Sequence, residues 1–356
     1  TADDKPILPD FDILVERLRI GRLSIAQGIA GPARTATATG RADIRSGTAI
    51  VALDARVIDG GSAGAGAGSG AGSGDRIKLD LVAVPDAQQF DVDADIVAPR
   101  GGVLAALTGI DRGVSGVIRG SGNWANWRGS LLADSEGASL ARLALTARDG
   151  RYGASGRVWP GVIAGGALAR LSADGVAVDA DGRFANRRWD GRFSAVTDAL
   201  QFDATGGADL GQNRFSAMRI DGWVRQPKLL LDRLDGQAVQ VALLLDGAFA
   251  APRFEYRLTA PWIAYGTTRL TGVEAVGSGL ASRSNVQIPL RLRVATVTGI
   301  GTLTQGLVRN LSADGVIAWR DGLLSSDGIA VRSAGLNGRF VLRADTGSGA
   351  ATVGFD

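Results

Sequence analysis

Residues 60–64 read Gly-Gly-Ser-Ala-Gly, the G-x-S-x-G spacing in which a sharp turn presents a serine nucleophile. The chemistry stops there. Such a serine needs a base, and the 356 residues contain no His and no Cys. A Ser-His-Asp triad, a Cys-His pair, an HExxH zinc site and any His-ligated metal are excluded. The pentapeptide also lies inside a low-complexity tract, residues 59–74 (DGGSAGAGAGSGAGSG), which reads as a flexible excursion at a hairpin tip. No G-x-G-x-x-G or G-x-x-x-x-G-K-[ST] occurs, so no nucleotide-type phosphate cradle is present. No cofactor is expected.

Other candidate residues each carry two readings. Asp91, Asp93 and Asp95 share a strand face and could bind Ca²⁺; a row of this kind is more often a solvated outer face. Arg291 and Arg293, beside Pro289, could meet phosphate at a rim or serve as a charged edge against aggregation. Trp124 and Trp127 flank a turn and could touch lipid headgroups or pack a hairpin corner. Asn310-Leu311-Ser312 matches a glycosylation sequon by incident of its repeat. Paired carboxylates would be needed for a carbohydrate-active enzyme; no pocket of convergent polar groups is legible, and the chain reads as a non-enzyme.

Charge is nearly balanced. The formal net charge is +3, and the basic residues are Arg except for Lys5, Lys78 and Lys228. Acids interleave everywhere, so no basic stripe marks a nucleic-acid partner. Hydrophobic residues make up 45% of the chain and Gly numbers 52, which fits an ordered, Gly-rich protein rather than a disordered one. No run of about 20 apolar residues suggests a membrane-crossing helix. The start, TADDKPILPDFD, is not a signal peptide. The strand-like end, ATVGFD, suggests an excerpt of something longer.

The elements are strands. In residues 75–97, Ile77, Leu79 and Leu81 alternate with Lys78 and Asp80, and Phe90 and Val92 alternate with Asp91 and Asp93. The same period of two sets Leu143 and Leu145 against Arg142 and Thr146. It sets Phe254, Tyr256 and Leu258 against Arg253, Glu255 and Arg257. Ile288, Leu290, Leu292 and Val294 oppose Gln287, Arg291 and Arg293; Phe340 and Leu342 oppose Arg339 and Arg343. This is the signature of half-buried strands.

Asp149-Gly150, Asp174-Gly175, Asp181-Gly182, Asp246-Gly247, Asp321-Gly322, Asp327-Gly328 and Asn337-Gly338 read as hairpin turns. Pro289, inside a strand, implies an edge or a bulge. Only 101–110, 161–171 and 299–311 look helical. LSADGV occurs at 171–176 and 311–316, each after a predicted helix. Trp127-Arg128-Gly129 and Trp189-Asp190-Gly191 are 62 residues apart, with Trp319-Arg320-Asp321-Gly322 as a looser third copy. Repeats on this scale build quasi-one-dimensional structures.

The expected fold is therefore mainly β: one long antiparallel meander over residues 1–356, curled lengthwise into an open apolar groove (a β-taco), with a few short helices. Helices are too few to cover the apolar face. About 25 strands at roughly 4.8 Å each would make a sheet on the order of 120 Å long. Such a trough suits an acyl chain, since each CH₂ removed from water gains about 0.8 kcal/mol. The groove wall is predicted to comprise the sixteen apolar residues named above, from Ile77 to Leu342. The competing reading is an elongated structural protein whose apolar faces pack into a dry core.

The segment GGVLAALTGIDRGVSGVIRGSGNWANWRGSLLADSEGASLARLALTARDGRYGASGRVWPG resembles the repeating segments of the AsmA-like bridge proteins. The opening LPDFDILVERLRIGRLSIAQGIAGPARTATATGRADIRSG is similar to a strand segment of their TamB-like members, with a V-x-x-L-x-I-x-x-L pattern before a Gly-Arg-Ala strand. The resemblance implies a β-taco that spans the bacterial periplasm from an inner-membrane anchor and moves phospholipids toward the outer membrane. It also implies an outer-membrane barrel partner and a role in protein secretion. The anchor and any partner-binding strand are not recognisable in this chain.

Overall fold

The computed structural model describes residues 12–27, 33–45, 48–58, 74–84, 87–103, 110, 112–123, 125–230, 232–282, 286–299, 308–320, 322–335, 337–345 and 350–355. The chain divides into two compact units, residues 1–164 and 165–356. The protein is mainly β, an antiparallel meander with very few helices. Among the described residues, no helix is long and apolar enough to cross a membrane.

The first unit holds nine strands. They are β1 (Ile13–Ile25), β2 (Arg34–Arg45), β3 (Thr48–Ile58), β4 (Arg76–Val84), β5 (Gln89–Ala98), β6 (Val114–Gly122), β7 (Asn126–Ser135), β8 (Ala138–Arg148) and β9 (Arg151–Val158). Each pairs antiparallel with the next. Residues directly opposite one another lie on the same face of a sheet, so the register can be followed across all nine. One row reads Leu18, Gly40, Leu53, Leu79, Ala94, Ile118, Leu131, Leu143, Gly156. The adjacent row, on the other face, reads Arg19, Thr39, Asp54, Lys78, Asp95, Val117, Leu132, Arg142, Arg157.

The second unit opens with the helix α1 (Gly166–Leu171). Its strands are β10 (Val176–Ala185), β11 (Arg188–Val196), β12 (Leu200–Asp209), β13 (Arg214–Val224), β14 (Leu234–Gln237), β15 (Val239–Ala248) and β16 (Arg253–Tyr265). They continue as β17 (Thr268–Leu280), β18 (Val286–Thr298), β19 (Arg309–Arg320), β20 (Leu323–Arg332), β21 (Asn337–Asp345) and β22 (Ala351–Phe355). β14 and β15 both pair with β16, β14 along its last residues. One row runs Val178, Ala195, Phe202, Gly222, Val241, Leu258, Ala275, Leu292, Ala313, Val331, Gly338. Its neighbour on the opposite face runs Asp179, Ser194, Asp203, Asp221, Ala242, Arg257, Val276, Arg291, Asp314, Ala330, Arg339.

Strand polarity sorts the connections. Within each unit, every connection longer than five residues joins strands at one edge of the sheet. The other edge carries only connections of two to five residues, such as 149–150, 186–187, 210–213 and 249–252. We call these the long-connection edge and the tight-turn edge.

Several sequence expectations are corrected. Asp149-Gly150 does form the β8–β9 turn, with φ of 49° and 74°. Asp181-Gly182, Asp246-Gly247 and Asn337-Gly338 instead lie within strands, where ladder pairing outweighs their turn preference, and Asp327-Gly328 forms a bulge inside β20 that the pairing with β19 and β21 skips. The turns at Glu136-Gly137 and Asn186-Arg187 carried no Asp-Gly or Asn-Gly signal. Residues 309–311, expected to end a helix, begin β19, because Leu311 is paired with Val294. LSADGV therefore folds in two ways. At 171–176 it ends α1 and turns into β10; at 311–316 it is all strand.

Pro289 is not on an edge, since β18 is flanked by β17 and β19. The continuous β17–β18 pairing stops at Val276–Arg291, just short of it. The Gly/Ser tract up to residue 73, with its G-x-S-x-G, Trp124, Asp321, and most of the helices expected at 101–110 and 299–311 lie outside the described residues.

The tryptophan repeat has a structural counterpart. Gly120 faces Gly129 across β6–β7, and Gly182 faces Gly191 across β10–β11. In both cases the indole two residues before the second glycine lies over the pair. A Cβ at Gly120 would come 2.0 Å from Trp127 Cζ2, and one at Gly182 2.4 Å from Trp189 Nε1. Trp319 does not share this arrangement, because the residue two positions after it is Asp321 and not glycine. The ring supplies the contact that two bare glycines lack. Gly182→Val should destabilise the protein by about 1–3 kcal/mol through overpacking, and adding Trp189→Ala should recover part of that loss. Denaturant unfolding of the single and double variants reads the coupling; strictly additive losses would contradict the stacking.

Candidate functional site

The two faces differ in chemistry throughout each unit. On the polar face, Arg and Asp pair along and across strands: Arg45–Asp43 at 2.6 Å, Arg56–Asp54 at 3.1 Å, Lys78–Asp80 at 3.0 Å and Arg119–Asp93 at 3.3 Å. The second unit repeats this with Arg188–Asp190 at 2.6 Å and Arg219–Asp221 at 2.8 Å. Hydrogen bonds from Arg45, Arg56 and Arg188 hold the carboxyls of Asp43, Asp54 and Asp190 below the usual carboxylate range. Exposed pairs of this kind add little stability; they make the face soluble and unsuited to stacking. Asp91, Asp93 and Asp95 belong to it, with Arg119 reaching both Asp93 and Asp95. Among the described residues no group of three or more acids is placed to hold a metal ion.

All sixteen residues chosen from the sequence point to the apolar face. In the first unit Ile77, Leu79 and Leu81 face Ile96, Ala94 and Val92, Phe90 faces Ala83, and Leu143 and Leu145 face Leu131 and Gly129. In the second, Phe254, Tyr256 and Leu258 face Leu245, Leu243 and Val241. Ile288, Leu290, Leu292 and Val294 face Ile317, Gly315, Ala313 and Leu311; Phe340 and Leu342 face Ile329 and Ser326. Phe254 and Val294 are buried, at 7% and 2% exposure, and the other fourteen are half-buried.

Burial across this face is uneven in the second unit, and exposure at strand ends does not follow the edge: Phe254, at the tight-turn end of β16, is 7% exposed. Three packed clusters, around Val239–Ala260–Val273, Val294–Val297–Val308 and Ala313–Ile329–Val331, hold most of its buried apolar side chains. Val239 and Val297, at strand ends on the long-connection edge, are 8% and 5% exposed; Phe184 and Trp319, at ends on the tight-turn edge, are 42% and 37% exposed. Half-buried leucines fill the middle of the face.

Comparison with known protein families, curated proteins and solved structures gives no match to this chain.

Tyr256 is a polar group built into the apolar face. Its ring crosses Gly277, and its hydroxyl donates to the Pro289 carbonyl at 2.9 Å. The bond bridges β16 to β18 just beyond the point where continuous β17–β18 pairing stops. The sequence placed Tyr256 among the apolar residues but gave no sign of this bridge. Burial pushes its phenol above the ordinary value of 10.0. The neutral form is thus favoured by folding. This stabilisation is complete below pH 10 and is lost as pH rises through the raised folded value. In an ultraviolet phenolate titration, Tyr256→Phe should remove a transition above the ordinary tyrosine range. A wild-type curve with no such component would contradict the burial of the Tyr256 ring in the apolar face.

Proposed function

We propose that the apolar face is a binding lane for the acyl chains of phospholipids. One observation carries this reading: rows in which every residue is apolar or glycine run across nine strands of the first unit and eleven of the second. The complete helical elements among the described residues are two three-residue turns and the six-residue α1. Contact with methylenes is non-directional, so a chain can slide along such a surface without a deep trap. The role is binding and conduction, without a catalytic step.

The sequence resemblance extends this to a place in the cell. On that reading the chain belongs to a TamB-like, AsmA-like bridge protein, the inner-membrane subunit of a translocation and assembly module. It is held to the inner membrane by an anchor and carries phospholipids through the periplasm. It serves outer-membrane biogenesis and protein secretion together with an outer-membrane barrel partner.

A second reading, a structural β-protein with a dry core, draws support from the three packed clusters of the second unit. The two are separated by placing a photocrosslinking amino acid at Leu79 or Ile288 in cells. Lipid adducts at both positions are expected, and their absence together with lipid-free purified protein by mass spectrometry would leave the structural reading. Leu290→Asp and Leu292→Asp should lower co-purified phospholipid severalfold, since a carboxylate among acyl chains is strongly unfavourable; unchanged lipid content would show that this row is not the lane.

A further inference from the structure

The tight-turn edge of the second unit carries a pattern that an acyl-chain lane alone does not require. β11, β13 and β16 each start there with an arginine followed by an aromatic residue: Arg188-Trp189, Arg214-Phe215 and Arg253-Phe254. The arginines fall on the polar face and the rings on the apolar face. In the first unit, β9 starts the same way with Arg151-Tyr152.

Arg188 is committed to Asp190 by two hydrogen bonds. Arg214 and Arg253 instead line a concavity of about 580 Å³ at this edge, with Gln212, Asp246 and Leu280. The one carboxylate there, Asp246, accepts a hydrogen bond from the Ala217 amide at 3.2 Å. Leu280 is 59% exposed. On the apolar side of the same strand ends, Phe215 packs edge-on against Phe249 with ring centroids 4.6 Å apart.

We propose that this concavity seats the phosphate of an anionic phospholipid whose acyl chains lie on the apolar face. The proposal rests on the acyl-lane reading and adds which edge the headgroup crosses and what holds it. Two guanidiniums fit the charge and geometry of a phosphodiester. Aromatic side chains favour the boundary between apolar and wet surroundings.

The test uses the full chain and short-chain lipids below their micelle concentration, read by titration calorimetry. Dihexanoylphosphatidylglycerol should bind more tightly than dihexanoylphosphatidylcholine, and inorganic phosphate should not displace it. R214Q/R253Q should weaken phosphatidylglycerol binding roughly tenfold or more and erase the headgroup preference, whereas R291Q/R293Q, on the same face away from the concavity, should not. Equal binding of phosphatidylglycerol by R214Q/R253Q and wild type overturns the headgroup seat. Displacement by inorganic phosphate at similar affinity overturns the lipid assignment in favour of a free-anion site. L290D separates the layers: if it alone abolishes lipid binding, the lane stands without the seat. If it leaves binding intact while R214Q/R253Q abolishes it, the lane is wrong and the seat remains.

Discussion

One constraint governs the fold: a strand's side chains alternate, so pairing register decides which chemistry faces which side. A slip of one residue would exchange Leu79 for Lys78 and place charge within the apolar row. Every pairing along both rows obeys this constraint. The interruptions obey it too. In β1 the register against β2 shifts between Val15 and Leu18 and again between Ile20 and Leu23. Each shift changes the parity of the strand, yet Val15, Leu18, Ile20 and Leu23 all stay on the apolar side. The V-x-x-L-x-I-x-x-L spacing is two β-bulges written in sequence. Phe215-x-x-Met218 in β13 does the same.

Much of the architecture was legible because the period-two signal is local and strong. Alternation alone put all sixteen residues on the apolar face, and the absence of His and Cys limits the chemistry from composition alone. Turn chemistry was less readable. Asp-Gly is permissive rather than compulsory, and in β10 the Gly182–Gly191 pair under Trp189 claims the glycine for packing. The LSADGV repeat misled for the same reason: six residues cannot outvote a neighbouring strand. One signal was present and unused. Gly120 and Gly182 each stand seven residues before a W-x-G, which with a hairpin between them places the ring over paired glycines. The Tyr256–Pro289 bond had no local signature, since it spans three strands and depends on Gly277 lying between.

The apolar face is not uniform. In the second unit, buried valines and alanines form three packed clusters, while leucines across the middle keep part of their surface accessible. Toward the tight turns, rings and arginines alternate between the two sides of the same strand ends.

Segregating long and short connections onto opposite edges has an evolutionary corollary. Adding or losing a single strand would reverse the polarity of everything after it and throw the bulky loops onto the smooth side. Growth is therefore restricted to whole hairpins, increments of roughly 9.6 Å at the usual inter-strand spacing. Homologues of different reach should differ by even numbers of strands, as a ruler is lengthened by whole divisions.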